Sequence, residues 1–480
     1  MKIIMIDIDT LRPDHLGCYG YHRNTSPNID RICGEGTRFD NVYVPDAPCL
    51  PSRSALHHGR FGIHTGAINH GGAFADPYEE GSTRGFHNSP PCRKWVQVLR
   101  DNGYKTTTVS SFAGRHNSWW FLAGFNEVYD CGKGGSENAD EVLEEALGYI
   151  EKNKDEKNWF FHFNIWDPHT PYRVPEKFGN PFANDPPPDW MTEEILEGHR
   201  KTFGTHSAVF PLHIPGQKPT DREVDEIRSL DDYRKWVDGY DCGIAYADAA
   251  VGRIIGKLEE LGIYDDCAFI ITSDHGENQG ELNVYGDHQT ADSVTCRVPM
   301  ILKWPGLTAA ELQGYYYQFD VAATILDLLG MDIPEKWDAI SFSEEIGKGG
   351  SKGRPYLVIS QAAWSCQRGV VFDGFLLIKT YDSGLKDFPE IMLFDLNKDP
   401  HECEDLSATR PELVEKGLSL LQRWMDTEML KSDRKEDPMM KVLEEGGPFH
   451  AKGRYKEYID AYKKKGRNDI ADKLKQYYGR

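Results

Sequence analysis

Short, continuous apolar runs punctuate the first three hundred positions: Lys2–Ile8, Lys105–Ser110 (KTTTVS), Trp159–Trp166 (WFFHFNIW), Cys267–Thr272 (CAFIIT) and Pro299–Lys303 (PMILK). A strand that is apolar without alternation is buried on both faces, as in a parallel sheet layered between helices. The stretches between them read as those helices. Asp140–Lys152 sets Val142, Leu143, Ala146, Leu147 and Ile150 on one face, and Ile244–Leu261 does the same. The alternation predicts an α/β fold. Residues 173–235 interrupt it with Pro175, Pro181, Pro186, Pro187, Pro188, Pro211, Pro215 and Pro219, together with Trp190 and Phe210. Such a stretch is either a lid-like insertion walling a substrate or a surface excursion. Beyond residue 350 the runs shorten (357–360, 368–372, 374–380, 391–395) and precede a helical pattern at Pro411–Met429, predicting a small antiparallel sheet with a helix on it. The last fifty residues are polar, with Tyr455, Tyr458, Ile459, Tyr462, Ile470, Ala471, Leu474 and Tyr477 at near-helical spacing. That face needs a cover, either another subunit of a homo-oligomer or the chain itself. The expected organisation is 1–350, with the insertion at 173–235, then 351–430, then a helical extension at 431–480.

Length and charge narrow the function. The 480 residues carry 55 Lys and Arg against 76 Asp and Glu, a net charge of −21. Neither a nucleic-acid coat nor a polybasic membrane patch fits that balance, whereas an anionic substrate does once a metal or a few local cations reverse the field. No apolar run approaches the length of a membrane span. The apolar stretch after Met1-Lys2 ends at Asp7, too short for a signal peptide, which places the chain in the cytoplasm as an expectation. The ten cysteines (18, 33, 49, 92, 131, 242, 267, 296, 366 and 403) form no CxxC pair, so neither a disulfide framework nor a zinc knuckle is expected.

Three local patterns could carry chemistry. Asp7 and Asp9 end the first strand two residues apart, on one side of it. Two carboxylates at the carboxyl end of a central strand are either capping residues or half of a cation site. Asp274 and His275 follow the strand Cys267–Thr272 and offer a second ligand pair. The third pattern is Pro48–Leu56 (PCLPSRSAL), where Pro51 suits a first helical turn and puts Cys49 just before a helix N-terminus, at its positive end.

With Cys-x-Pro-Ser-Arg (Cys49 to Arg53) the sequence resembles the type I, formylglycine-dependent sulfatases of the alkaline phosphatase superfamily. The likeness extends through Asp9–Gly20 (DTLRPDHLGCYG), Asn24–Asp30 (NTSPNID), Trp166–Tyr172 (WDPHTPY), Thr272–Gly276 (TSDHG) and Leu393–Pro400 (LFDLNKDP). It implies an alkaline-phosphatase-like α/β/α sandwich with a smaller C-terminal α+β domain. The implied activity is hydrolysis of an O-sulfate ester, of a small molecule or a carbohydrate, to an alcohol and inorganic sulfate. The same resemblance leaves a phosphonate monoester hydrolase or phosphodiesterase as the alternative. It further implies that Cys49 is oxidised to Cα-formylglycine by a formylglycine-generating enzyme or an anaerobic sulfatase-maturing enzyme. The hydrated aldehyde attacks sulfur with one hydroxyl and expels sulfate with the other, dividing one difficult step into two.

Roles follow by the same resemblance. Asp9, Asp274 and His275 match metal ligands, completed by residue 49. Thr10 stands where the family has a second aspartate, and Asp7 would substitute. Hard oxygen donors favour Ca²⁺, with Mg²⁺ or Mn²⁺ admitted by the histidine. Arg53 matches the residue that holds the formylglycine oxygen. Gly114-Arg115-His116 resembles the Gly-Lys-x-His segment, giving Arg115 to sulfate and His116 to the diol hydroxyl in the elimination step. His169 matches the histidine beside the leaving-group oxygen. His288 matches the histidine of a Gly-Lys-His run whose sulfate-binding lysine is replaced by Asp287, so that His288 would stand in for it at the substrate. His57, His58, His64 and His70 are expected together near the pocket rim, and Trp119, Trp120, Phe121 and Trp364 either line an apolar wall or fill core.

Overall fold

The computed structural model describes residues 1–79, 90–211, 218–349 and 352–479. Pro215, within the Pro-rich insertion, lies outside them. The eight-stranded main sheet runs in the order Ala310–Tyr317, Thr37–Tyr43, Arg297–Lys303, Cys267–Thr272, Lys2–Ile8, Trp159–Ile165, Lys105–Val109 and Glu127–Tyr129. The five strands from Cys267–Thr272 to Glu127–Tyr129 are parallel. Arg297–Lys303, expected within that parallel set, pairs antiparallel on both sides. Its apolar composition reports burial on two faces, and that holds in either direction.

Alternation along Lys2–Ile8 splits the strand between two cores. Ile3 and Met5 join one cluster, while Ile4, Ile6 and Ile8 join the other. Asp7 continues the parity of Ile3 and Met5. The Ile4 face is covered by Ala139–Asn153 and Leu230–Glu260, the opposite face by Cys49–His58, Trp95–Asp101 and Asp320–Leu328. This is the α/β/α sandwich. The long helix begins at Leu230, inside the stretch expected as insertion, because Ser229 caps it by accepting from the Asp232 N–H and Tyr233, Trp236 and Val237 are buried.

A second sheet holds Ile391–Asp395, Phe375–Asp382, Cys366–Phe372 and Leu357–Gln361, all antiparallel, and the helix Pro411–Lys431 packs on it. Its edge is Asp46–Ala47, which pairs parallel with Leu357–Gln361. The C-terminal sheet thus grips the loop directly before Cys49, and its core residues Leu376, Ile378, Leu393 and Trp424 are continuous with the main-sheet cluster.

The extension forms the helices Pro438–Glu444, Tyr455–Lys464 and Asn468–Tyr478. Tyr458, Ile459, Tyr462, Ile470, Ala471 and Leu474 are buried against Phe203, Val209, Phe210 and Leu385 of the same chain. The apolar stripe that suggested a partner subunit therefore has its cover at home. Every cysteine is a free thiol. No helix among the described residues is long and apolar enough to cross a membrane.

Candidate active site

The carboxyl ends of the two central strands converge on one buried guanidinium. Arg53 donates to Asp7 Oδ2 through Nη2 and Nε (2.9 and 3.1 Å), to Asp9 Oδ2 through Nη1 (3.2 Å), and to Asp274 through Nη1. All four side chains are buried. One positive charge against three carboxylates leaves two negative charges in a medium that screens them poorly. The imbalance shows in the titration of Asp9. Burial, then repulsion from Asp274, pushes its carboxyl well above the usual range despite Arg53. Asp7 goes the other way: burial opposes its charge, but Arg53 and His162 outweigh that and hold it low.

Two further features mark this strand end as wanting a cation. Asp7 Oδ1, Asp9 Oδ1 and Thr10 Oγ1 are buried oxygens without a hydrogen-bond partner. Thr10 also holds φ at 58°, a left-handed conformation that is costly for a β-branched residue. Its N–H reaches Asp274 Oδ1 at 3.3 Å and its carbonyl accepts from Tyr240 (2.7 Å), which fix it there.

Cys49 is the first residue of the helix Cys49–His58, one place inside the expected position, and its Sγ lies 3.0 Å from His275 Nε2. Ligand atoms of Asp9, Cys49, Asp274 and His275 all fall within 4.8 Å of one another. Burial and the facing carboxylates push the thiol well above its ordinary value, so as a cysteine it stays protonated.

Above Cys49 opens a cavity of about 250 Å³, lined among others by Arg115, His116, His169, Asp287 and His288. Cys49, His169 and His288 also place ligand-type atoms within 4.8 Å of one another. Burial, with Arg115 adding to it at His116 and His169 and Asp287 only partly opposing it at His288, holds all three well below the usual histidine value, so they are neutral bases near pH 7. His116 Nε2 and His288 Nδ1 are buried without hydrogen-bond partners. Asp287 lies 3.2 Å from His288 Nε2 and 2.9 Å from His206 Nδ1. Arg115 lies over the Trp166 ring at 4.7 Å and donates to Gly134 O.

The four histidines expected together separate. His57 packs against Phe121 (4.5 Å) and His58 against Trp120 (5.7 Å) in aromatic surroundings. His64 binds Asp338 at 2.7 Å and the Glu428 carbonyl at 3.0 Å. His70 alone of the four lines the cavity. Helical periodicity explains this, since the helix that presents Cys49 at its start turns its last residues into the core. Trp364 lines the cavity, Phe121 is core, and Trp119 is exposed.

Several residues at the site carry little or no sequence signal. His162 lies 3.4 Å from Asp7 Oδ2 and hydrogen-bonds Thr108, and its one clue is a polar position inside an apolar strand. His206 comes from the Pro-rich insertion, as does Pro211, and His450 comes from the extension. Nothing local marks His206 or His450, because loop closure over long chain distances brings them here.

The family model described as Sulfatase matches residues 2–331. An arylsulfatase of Clostridium perfringens is 22% identical over 84% of this chain and 90% of its own. Among solved structures, a protein in complex with its substrate D-glucosamine-2-N,6-O-disulfate superposes with a TM-score of 0.70 at 18% identity, covering 91% of this chain and 99% of that one. The phosphonate monoester hydrolase from Silicibacter pomeroyi superposes with a TM-score of 0.67 at 18% identity, covering 92% and 97%. At that identity the two superpositions report a common fold.

Proposed function

The chain belongs to the sulfatase family of the alkaline phosphatase superfamily, and on that premise we propose that it hydrolyses an O-sulfate ester, with Cys49 converted to formylglycine as the nucleophile and a divalent cation beneath it. The observation that carries the reading is the seat of Cys49: first residue of a helix, at the floor of a histidine-lined cavity, 3.0 Å from His275 and backed by Asp9 and Asp274.

The donor set suits a hard divalent ion. Asp7, Asp9, Asp274 and His275 would hold it, and their uncompensated charge and unpartnered oxygens are what such an ion satisfies. The oxygen majority favours Ca²⁺, and His275 keeps Mg²⁺ or Mn²⁺ in range. The ion would supply charge neutralisation at the nucleophile and at a sulfuryl oxygen, and formylglycine a hydrated aldehyde that both attacks sulfur and later releases sulfate. Cys49 is 2% exposed, so a maturing enzyme would meet it before the fold closes.

The remaining steps belong to the chain's own side chains. Arg53, fixed by three carboxylates, orients the hydroxyl group at position 49. Arg115 binds sulfuryl oxygens from the cavity side. His116 is neutral, and its unpartnered Nε2 can take the proton of the hydroxyl at position 49 that expels sulfate. His288 faces the bond to the departing alcohol as a neutral ring, because the pull of Asp287 offsets only part of the burial that holds its value low. His169 faces the same bond from the adjoining wall.

Mass spectrometry of the peptide containing residue 49, from protein produced with a maturing enzyme, should show aldehyde in place of thiol. Turnover of 4-nitrophenyl sulfate should vanish in Cys49→Ala and after chelation, returning with added Ca²⁺. Full activity with an unmodified thiol, or in Cys49→Ala, removes this reading.

A further inference from the structure

Cys18 and Cys33 line one surface cleft of about 490 Å³, which shares no lining residue with the cavity over Cys49. Cys18 belongs to the short 3₁₀ turn Gly17–Tyr19, at the end of the loop that leaves Asp9, and Cys33 to the last turn of the helix Pro27–Glu35. A set of hydrogen bonds presses the turn onto the helix. The Gly17 N–H donates to Ser26 Oγ (2.9 Å) and the Cys18 N–H to Asp30 Oδ1 (2.8 Å), while Ser26 Oγ donates to the same carboxylate oxygen (2.9 Å). From the strand Thr37–Tyr43, Arg38 Nη1 donates to the Cys18 carbonyl (2.6 Å). Gly17 makes the approach possible, since a Cβ there would overlap Asp30 Oδ2. So held, the two thiols hydrogen-bond each other, Cys18 donating and Cys33 accepting.

The pair is unequal. The bond from Cys18, aided by the Arg38 guanidinium and opposed by burial, draws the Cys33 thiol below its ordinary value, and the same bond together with burial pushes Cys18 up. Cys33 is thus the nucleophile, with a second thiol in contact with it. Cys33 is 9% exposed and Cys18 half-buried, which admits a small oxidant from the cleft. Cys49 has neither property, being more deeply buried and held protonated.

We propose that Cys18 and Cys33 form a reversible oxidation site that takes a peroxide and closes to a disulfide. Cys33 sulfur attacks one oxygen of hydrogen peroxide and the O–O bond breaks. The departing hydroxide takes up the proton that Cys33 gave up, leaving Cys33 sulfenic acid and one water. Cys18 sulfur then displaces the hydroxyl from Cys33 sulfur, and its proton leaves with that hydroxyl as a second water. Two thiols lose two electrons, and the peroxide gains them. A dithiol reductant reverses the bond by exchange. The disulfide closes residues 18–33 into a loop and pins the chain that leaves Asp9 to the helix Pro27–Glu35, which stabilises the fold chiefly by constraining the unfolded chain. The proposal is independent of what the cavity over Cys49 hydrolyses.

The test treats the folded full-length protein with hydrogen peroxide, alkylates the remaining thiols and digests without reductant. Trypsin cuts at Arg23 and Arg31, between the two cysteines, so the bond joins two peptides that mass spectrometry identifies. The joined pair should dominate the oxidised products and disappear with dithiothreitol, and the oxidised protein should unfold at a higher temperature than the reduced one. Cys18→Ser should leave a sulfenic acid at Cys33 that dimedone traps. Cys33→Ser should slow oxidation of Cys18 at least about tenfold, the effect of about one pKa unit on thiolate population. The proposal is overturned if Cys131 and Cys403, which are exposed, oxidise while the joined pair never forms, or if the pair forms only in urea. Equal oxidation of Cys18 in the wild type and in Cys33→Ser would overturn it as well. The wild-type digest decides by itself should either variant fail to fold.

Discussion

His57 lies on the helix that carries Cys49, yet its ring sits among Phe121, Trp95 and Phe125 and its Nδ1 has no hydrogen-bond partner. Burial, before any neighbouring charge, holds it well below 6.5. Because the folded value is depressed, the unfolded chain takes up a proton below about pH 6.5 while the folded protein does not, and stability is lost as pH falls through that value. His57→Leu should therefore gain on the wild type by about 1.4 kcal/mol for each pH unit below 6.5, with little difference at pH 8. Thermal or urea unfolding of the two proteins from pH 8 to 5 measures this, and parallel curves would contradict it. At this scale the motif residues Asp9, Cys49, Arg53, Asp274 and His275 were legible in sequence, since each sits in a local pattern. His162 was not, because its contact with Asp7 depends on which strand lies beside the first.

Among the elements, the extension is the most dependent on distant partners. Arg368, in the strand Cys366–Phe372, makes a bidentate pair with Asp437 at 2.7 and 2.9 Å, and Asp437 caps the helix Pro438–Glu444 by accepting from the Met439 N–H. Both groups are largely desolvated. Arg368→Ala leaves that carboxylate without its partner and should cost about 3–5 kcal/mol. The double variant Arg368→Met, Asp437→Asn should cost less than the single one, because no uncompensated charge remains. Denaturant unfolding decides, and a loss in Arg368→Ala below about 1 kcal/mol would mean that the pair is not what anchors the extension. The spacing of Tyr458, Ile459, Tyr462, Ile470 and Leu474 was enough to predict helices there. Periodicity names a face and leaves open what covers it, and the structure supplies Phe203, Val209 and Phe210 from the Pro-rich insertion.

At the scale of the molecule, the proposed function has a chain of net charge −21 take an anion into a cavity where burial keeps His70, His116, His169, His288 and His450 neutral. The local balance is set by Arg53, Arg115 and the proposed cation against Asp7, Asp9, Asp274 and Asp287. That balance suits a sulfate monoester, with one negative charge, over a phosphate monoester, with nearly two. An unmatched unit charge at 4 Å is worth about 4 kcal/mol at an effective dielectric of about 20, so kcat/KM for 4-nitrophenyl sulfate should exceed that for 4-nitrophenyl phosphate by at least about tenfold in one buffer and metal. Bis(4-nitrophenyl) phosphate, a singly charged diester, should fall between them. A preference for either phosphorus ester would favour the phosphonate monoester hydrolase alternative while leaving the nucleophile in place.

The sequence by itself determined the α/β layering, the strand ends that carry the carboxylates, and the cysteine at a helix start. These are local facts: apolar runs fix strands, period two fixes which residues share a face, and a Pro-containing turn fixes a helix N-terminus. Only the tertiary structure decided that Asp46–Ala47 joins the C-terminal sheet and so clamps the loop before Cys49. It alone showed that Arg297–Lys303 runs antiparallel, since burial is the same in both directions. It also carried His206 and His450 from an insertion and a tail to one cavity. Pairing partners and loop closures are chosen by the total area buried and the polar groups satisfied across the whole chain, and no window of sequence contains that sum.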